Sequence, residues 1–125
     1  MNEKRKRIYI SGPITNNEDY IEQFDNAMIE LGDQGYIPVR PIGSWADDPY
    51  ILDYKEYIEL DLALLRMCDG ICMLDGWESS AGARAEKAYA ECLGMEVMYE
   101  TKIMEEAAEA FMASFDKFMS IINRG

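Results

Sequence analysis

One continuous apolar run, Gly70 to Leu74 (GICML), constrains the fold more than any other stretch of this sequence. It has the length of a β-strand and shows no alternation of polar and apolar residues. Such a strand is buried on both faces, which is typical of a parallel sheet covered by helices. Three other stretches, residues 7–11, 36–39 and 96–99, also predict strands. The proline in residues 36–39 indicates an edge position for that strand.

Helical patterns separate the strand-like stretches. The first predicted helix ends near Gly32 and is capped by Asn16, Asn17 or Asp19. The others cover about 54–67, 81–93 and 102–122, and the last has a broad apolar face. The order βαβαβαβα predicts an α/β fold, a Rossmann or flavodoxin-like parallel sheet with helices on both faces. The length of 125 residues fits a single domain, 1–125, with 1–6 as a flexible tail.

Charge and residue usage exclude several functions. The formal charge is −12, from 24 acids and 12 bases, which argues against a nucleic-acid partner but allows one small anionic ligand. Lys4 to Arg7 form a basic run that either contacts an anionic surface or is a solvated tail. No apolar run approaches the ~20 residues of a membrane span, so no membrane partner is predicted.

The numbers of cysteines and histidines indicate whether the protein binds a metal ion and in which cellular compartment it is found. There are three cysteines, no CxxC pair and no histidine, so neither a metal site nor a cofactor is predicted. An odd number of cysteines without a secretory signal predicts reduced thiols and a cytoplasmic protein. Acid–base chemistry must then use carboxylates, tyrosines or lysines.

Ligands of open parallel sheets bind beyond the carboxyl ends of the strands, where residues 11–17, 40–53 and 75–82 should lie. The loop Ser11, Gly12, Pro13, Ile14 could hold a phosphate or sugar through backbone N–H groups. Its alternative interpretation is a Gly-Pro turn followed by an Asn cap. Residues 40–53 predict a long loop, and long loops of compact domains are often functional.

Glu86 stands among small residues in the stretch SSAGARAEKAYA, residues 79–90. A capping box would need Ser or Thr three residues earlier, but that residue is Ala83. Small residues such as Gly82 leave space at the helix start. The helix dipole is expected to keep the carboxylate ionised. An ionised, accessible carboxylate at the ligand edge could be a nucleophile toward a sugar carbon.

Asp61 and Tyr9 could assist such a nucleophile. Asp61 lies at the border of the apolar face of its predicted helix, where partial desolvation would raise its pKa and make it an acid near neutral pH. It could instead be a surface aspartate. Tyr9 lies near the end of the first strand, and its hydroxyl can reach Glu86 if that strand neighbours the third. It could also be an ordinary strand aromatic.

Three groups of residues together resemble the nucleoside 2-deoxyribosyltransferase-like family, which includes deoxyribosyltransferases and 2′-deoxynucleoside 5′-phosphate N-hydrolases. They are Ile8 to Pro13 (IYISGP), Asp61-Leu62 before the CDG of residues 68–70, and the G-x-x-E helix from Ser80 to Ala90. The resemblance covers about residues 7–99. The family's Glu-Leu-Gly after the nucleophile position is replaced here by Glu-Lys-Ala at residues 86–88.

The resemblance implies a role for each matching residue. Glu86 falls at the nucleophile, Tyr9 at the tyrosine that orients it, and Asp61 at the aspartate that contacts the sugar and is implicated in protonating the leaving base. Ser80 falls where the nucleotide hydrolases have a phosphate-binding serine and the transferases an aspartate. The family's active sites borrow residues from a neighbouring subunit, which implies a homo-oligomer, a dimer or larger.

These implications favour hydrolysis of the N-glycosidic bond of a nucleoside 5′-monophosphate, so a small nucleotide or nucleoside is the expected partner. A deoxyribosyltransferase and a non-catalytic nucleotide sensor remain the alternatives. Trp45, Tyr50 or Trp77 could stack on the base. Arg84 and Arg40 are the nearest candidates to offset the charge of the nucleotide.

Overall fold

The computed structural model describes residues 4–49 and 51–124. Those residues form a four-stranded parallel sheet. In chain order the strands are β1 (Arg7–Ser11), β2 (Ile37–Val39), β3 (Gly70–Met73) and β4 (Glu96–Tyr99). Their order across the sheet is β2-β1-β3-β4, so β2 is an edge strand as its proline predicts. The predicted α/β fold is confirmed.

Four helices cover the sheet: α1 (Tyr20–Asp33), α2 (Tyr54–Arg66), α3 (Ala81–Cys92) and α4 (Glu100–Asn123). One core cluster joins α1 and α4 to one face of the sheet. A second cluster joins α2 and α3 to the other face. Each face is therefore covered by a pair of helices, which explains why all four residues of β3 are buried.

Alternation along β1 sends neighbouring side chains to opposite faces of the sheet. Ile8 and Ile10 pack in the cluster with α1 and α4. Tyr9 packs in the cluster with α2 and α3. Ser11 is two residues after Tyr9 and is fully buried on that same side, so both hydroxyls point toward α3 at the carboxyl end of the strand.

The chain leaves β1 toward β2 and later returns to β3 on the other side of β1. The resulting change of direction opens a crevice beyond the ends of β1 and β3. Gly12 begins that crevice, where the chain passes very close to Leu74. A Cβ at Gly12 would lie 2.7 Å from the Leu74 Cβ, so the close approach requires glycine.

The structure shifts some predicted boundaries. α4 begins at Glu100, directly after β4, rather than near residue 102. The loop 40–53 contains a short 3₁₀ turn, Ile42–Ser44. Asp19 occupies the cap of α1, but its side chain makes no capping hydrogen bond. Among the described helices, none is both long enough and apolar enough to cross a membrane.

Candidate active site

A cavity of about 410 Å³ lies in the crevice beyond β1 and β3. All three segments predicted at this edge contribute to its wall, together with one face of α2. Three of its side chains are the carboxyls of Asp48, Asp61 and Glu86. The remaining lining residues are Gly12, Ile14, Thr15, Asn16, Pro41, Gly43, Tyr54, Tyr57, Ile58, Ser79, Ser80, Ala81, Gly82 and Ala83.

Glu86 is held at the cavity wall by two hydroxyls from β1. The Tyr9 hydroxyl donates to Glu86 Oε2 at 2.5 Å, and the Ser11 hydroxyl donates to Glu86 Oε1 at 2.7 Å. The predicted contact between Tyr9 and Glu86 is present. Because each carboxylate oxygen has a fixed donor, the orientation of the carboxyl plane is defined before any ligand arrives.

Glu86 is 5% exposed, and its burial raises its pKa to about 7. The hydrogen bonds from Tyr9 and Ser11 lower the pKa and the charge of Asp61 raises it, but desolvation is the largest effect. The expectation that the helix dipole keeps this carboxylate ionised is therefore wrong, although Glu86 does line the cavity. α3 is capped by Ser80, which places Glu86 in the second turn, where the dipole has little effect.

Asp61 extends from α2 into the same cavity and is 7% exposed. Its Oδ1 accepts the backbone N–H of Ile42 at 2.9 Å, which ties α2 to the 3₁₀ turn of the loop. Burial raises the pKa of Asp61 to about 6, although the Ile42 hydrogen bond opposes the rise. The charge of Asp48 raises it further. The predicted direction of the pKa is confirmed.

The first turn of α3 forms another part of the cavity wall. The Ser80 hydroxyl accepts the backbone N–H of Ala83 at 3.1 Å, as an N-cap residue does. A serine hydroxyl that accepts one hydrogen bond can still donate another. The backbone of Ala81 and Gly82 lies beside it, so this turn places small residues and helix N-terminal N–H groups at the cavity.

Asp48 and Tyr57 are site residues that the sequence analysis did not single out. The Tyr57 hydroxyl donates to both carboxylate oxygens of Asp48, at 3.0 and 2.8 Å, and both residues line the cavity. Asp48 is 9% exposed, although it lies in the long loop. The functional prediction for residues 40–53 covered this position only in general terms, because nothing in the local sequence distinguishes Asp48 from the exposed Asp47.

Several predicted binding residues lie elsewhere. Trp45 stacks on the Arg40 guanidinium, and the distance from Arg40 Cζ to the centroid of the Trp45 ring is 4.2 Å. Trp77 packs against the core cluster of α2 and α3, beside Lys87. Arg84 is exposed and donates to the backbone carbonyl of Glu78, in the short turn that precedes α3. None of these residues lines the cavity, so stacking by the tryptophans is not supported. Tyr50 lies outside the described residues.

Pro13 and Arg40 also serve the fold rather than the cavity wall. Pro13 packs near Gly76 and is absent from the cavity lining, unlike its neighbours Gly12 and Ile14. The Arg40 side chain is 1% exposed and bonds to Asp25 and to Ser44. Its charge is already neutralised, so it cannot offset that of a nucleotide.

The charged side chains in the described cavity wall are all acidic. The described lining contains three carboxyls and no lysine or arginine. Within residues 4–49 and 51–124, no group of three or more acidic or cysteine side chains is placed to hold a metal ion. An anionic ligand would therefore depend on the N–H groups and hydroxyls at the start of α3.

Comparison with known proteins places the chain in a family. It belongs to the family described as a domain of unknown function, DUF4406, which matches residues 6–99. That match includes every strand and the whole cavity wall, and it ends where α4 begins. No curated protein sequence matches the chain.

The fold is similar to a solved 2-deoxyribosyltransferase from the psychrotolerant bacterium Bacillus psychrosaccharolyticus. The TM-score is 0.58 at 20% sequence identity, over 74% of this chain and 70% of that chain. At this identity the similarity shows the fold: the chain has a distant nucleoside deoxyribosyltransferase-like architecture.

Proposed function

We propose that this protein hydrolyses the N-glycosidic bond of a nucleoside or deoxynucleoside 5′-monophosphate, with Glu86 as the nucleophile. One observation carries the proposal: the Glu86 carboxylate is buried, oriented by Tyr9 and Ser11, and shares a cavity with Asp61. A buried carboxyl serving only the fold would not need to face a cavity large enough for a ligand. Two carboxyls with separate hydrogen-bond partners allow one to attack and the other to transfer a proton.

The reaction has two steps. One oxygen of ionised Glu86 attacks C1′ of the sugar, the bond from C1′ to the base nitrogen breaks, and Asp61 gives its proton to the departing base. Water then attacks C1′ of the glycosyl-enzyme ester, passes a proton to the Asp61 carboxylate, and releases the sugar phosphate and free Glu86. Tyr9 and Ser11 act as positioning residues throughout, because they fix the attacking oxygens.

Both pKa values lie near neutral pH, and because that of Glu86 is the higher, the reactive form with Glu86 ionised and Asp61 protonated is the minor singly protonated form. Glu86, with a pKa of about 7, is partly ionised there, and Asp61, with a pKa of about 6, is partly protonated. The same desolvation that raises both values makes the Glu86 carboxylate a better nucleophile, since less water must leave it. The two groups interact, so their titration belongs to the pair.

Ser80 and the first turn of α3 form the proposed phosphate-binding site. The Ser80 hydroxyl can donate to a phosphate oxygen while it caps the helix, and the N–H groups of Ala81 and Gly82 lie beside it. A helix N-terminus binds phosphate through such groups without a basic side chain. A phosphate-binding site of this kind is compatible with a cavity that has no lysine or arginine in its described wall.

Base release measured by chromatography, over the common nucleoside and deoxynucleoside monophosphates, tests the proposal. We expect release by the wild-type protein and a loss of at least ~100-fold in Glu86→Gln. Glu59→Gln changes an exposed glutamate on α2 and serves as the control. Wild-type protein that releases no base from any nucleotide would refute the proposal.

A deoxyribosyltransferase is the second candidate. The acidic cavity wall favours an uncharged nucleoside over a nucleotide, and the fold is similar to that of a 2-deoxyribosyltransferase. In this case a second base, rather than water, would accept the sugar from Glu86. Incubation of a deoxynucleoside with a different free base distinguishes the two, because only a transferase forms the exchanged nucleoside.

A further inference from the structure

The C-terminal half of α4 extends away from the rest of the protein. Ile103 is the buried residue of this helix, and Met104 packs beside it on the core. From Ala108 to Arg124 every residue is exposed. Residues 108–124 form the α4 extension. A helix that packs on nothing lacks the contacts from which protein helices gain most of their stability.

The α4 extension nevertheless carries a large apolar surface. Seven of its side chains are large, apolar and exposed, and Phe111 and Ile121 are 67% and 61% exposed. Monomeric proteins rarely leave a contiguous apolar surface of this size in water. The seven exposed residues are Phe111, Met112, Phe115, Phe118, Met119, Ile121 and Ile122.

The spacing of these residues indicates what covers them. Phe111, Phe115, Phe118 and Ile122 follow one another at intervals of four, three and four. This is the alternation of the two apolar positions of a heptad, and it produces a seam that another helix fills by knobs-into-holes packing. Met112 and Met119, one heptad apart, widen the same face. The pattern therefore favours a helix, rather than a flat surface or a small molecule, as the partner.

The area of the face fits a second copy of this chain. If each of the seven side chains contributes roughly 100 Å², the face measures about 700 Å², close to the ~800 Å² per partner of a stable interface. The family match ends at Tyr99, so the face lies on a part of the chain outside the matched domain.

Charge determines how two copies can meet. The α4 extension has two acids and two bases, so the whole formal charge of −12 lies on the remainder of the protein. Parallel pairing would bring two strongly acidic bodies together. Antiparallel pairing separates them by the extension, about 25 Å at 1.5 Å per residue, which is several times the ~8 Å Debye length at physiological ionic strength.

We propose that the α4 extension is a self-association surface through which two copies of this protein pair as antiparallel helices. The pairing is independent of the function proposed for the cavity. It buries the phenylalanine seam of each copy against that of the other, and it places the two acidic bodies at opposite ends of the helix pair.

Light scattering after size-exclusion chromatography tests the pairing with the full chain. Wild-type protein should have twice the 14.3 kDa monomer mass at micromolar concentration. Phe115→Glu and Phe118→Glu should each give a monomer, because a charge would be buried in the seam. Ala113→Glu and Ser120→Glu put the same charge on the opposite face of the extension and should leave the dimer intact.

A monomeric wild-type protein, or a dimer unaffected by both phenylalanine changes, overturns the proposal. Circular dichroism of each variant shows whether the fold is kept, and the phenylalanines are exposed in the single chain, so the body should not unfold. A monomer that binds lipid vesicles would also overturn it and identify a membrane surface as the partner.

Distances between spin labels test the direction of pairing. Labels are attached at Asp116→Cys or Arg124→Cys in a Cys92→Ser background, because Cys92 is the exposed native thiol among the described residues. In an antiparallel pair centred near residue 116 the middle labels are close, and the end labels are on the order of 24 Å apart along the axis. Short distances at both positions would refute the antiparallel arrangement.

Discussion

Replacing Glu86 by glutamine should make the stability of the protein less dependent on pH. The pKa of Glu86 is about 7 in the folded protein and ordinarily 4.5, so the folded state binds the proton more tightly. The stability that the protonated carboxyl contributes is complete below pH 4.5 and is lost as the pH rises through 7. At 1.36 kcal/mol for each unit between the two pKa values, the loss is about 3 kcal/mol.

The glutamine side chain of the variant cannot ionise, so the variant escapes this loss. The free energy of unfolding of Glu86→Gln, minus that of the wild type, should therefore rise by about 3 kcal/mol between pH 4.5 and pH 8. Urea unfolding followed by circular dichroism, at one protein concentration, measures both proteins. Glu59→Gln, at an exposed position on α2, controls for the loss of one carboxyl. A difference that stays constant with pH would show that Glu86 is not desolvated.

Three further predictions concern the site and its support. If Glu86 attacks and Asp61 protonates, kcat/KM for base release should be bell-shaped in pH with apparent pKa values near 6 and 7, and a steadily rising profile would contradict that pair. Gly12→Ala should cost ~1–3 kcal/mol in urea unfolding because of the clash with Leu74, whereas Gly32→Ala, where an added Cβ would meet nothing within 4 Å beyond the backbone of its own helix, should be neutral or stabilising. Arg40→Ala should lower stability by ~2 kcal/mol and speed limited proteolysis of the loop 40–53, and unchanged cleavage would refute the anchoring role.

The sequence predicted the architecture well because periodicity and burial agree in this chain. The uninterrupted apolar run at residues 70–74 has the length of a strand and no polar alternation, which predicts a strand covered on both sides, and β3 is buried along its whole length. The proline at residue 38 correctly indicated an edge strand. The contact of Tyr9 with Glu86 followed from the strand order, since β1 and β3 are neighbours and α3 follows β3.

The parts of the site that sequence missed depend on how the long loop folds. Asp48 is buried by its contact with Tyr57 on α2, and this contact crosses from the loop to a helix. Trp45 contacts Arg40 instead of the cavity. The flat guanidinium of Arg40 is buried and makes a cation–π interaction with the indole ring, which is more favourable for the ring than contact with water. Neither outcome is encoded in local spacing, so neither could be derived without the tertiary structure.

The error over Glu86 shows which physical effect dominates in this cavity. A helix N-terminus favours an anion only within its first turn, and Ser80, as the cap, puts Glu86 beyond that turn. Burial then raises its pKa, and nearby Asp61 adds to the rise. The favourable end of the α3 dipole remains at Ser80 and Gly82, where it is free to act on a ligand. The first turn of α3 is thus suited to the phosphate of the proposed substrate, while Glu86 in the second turn is poorly solvated.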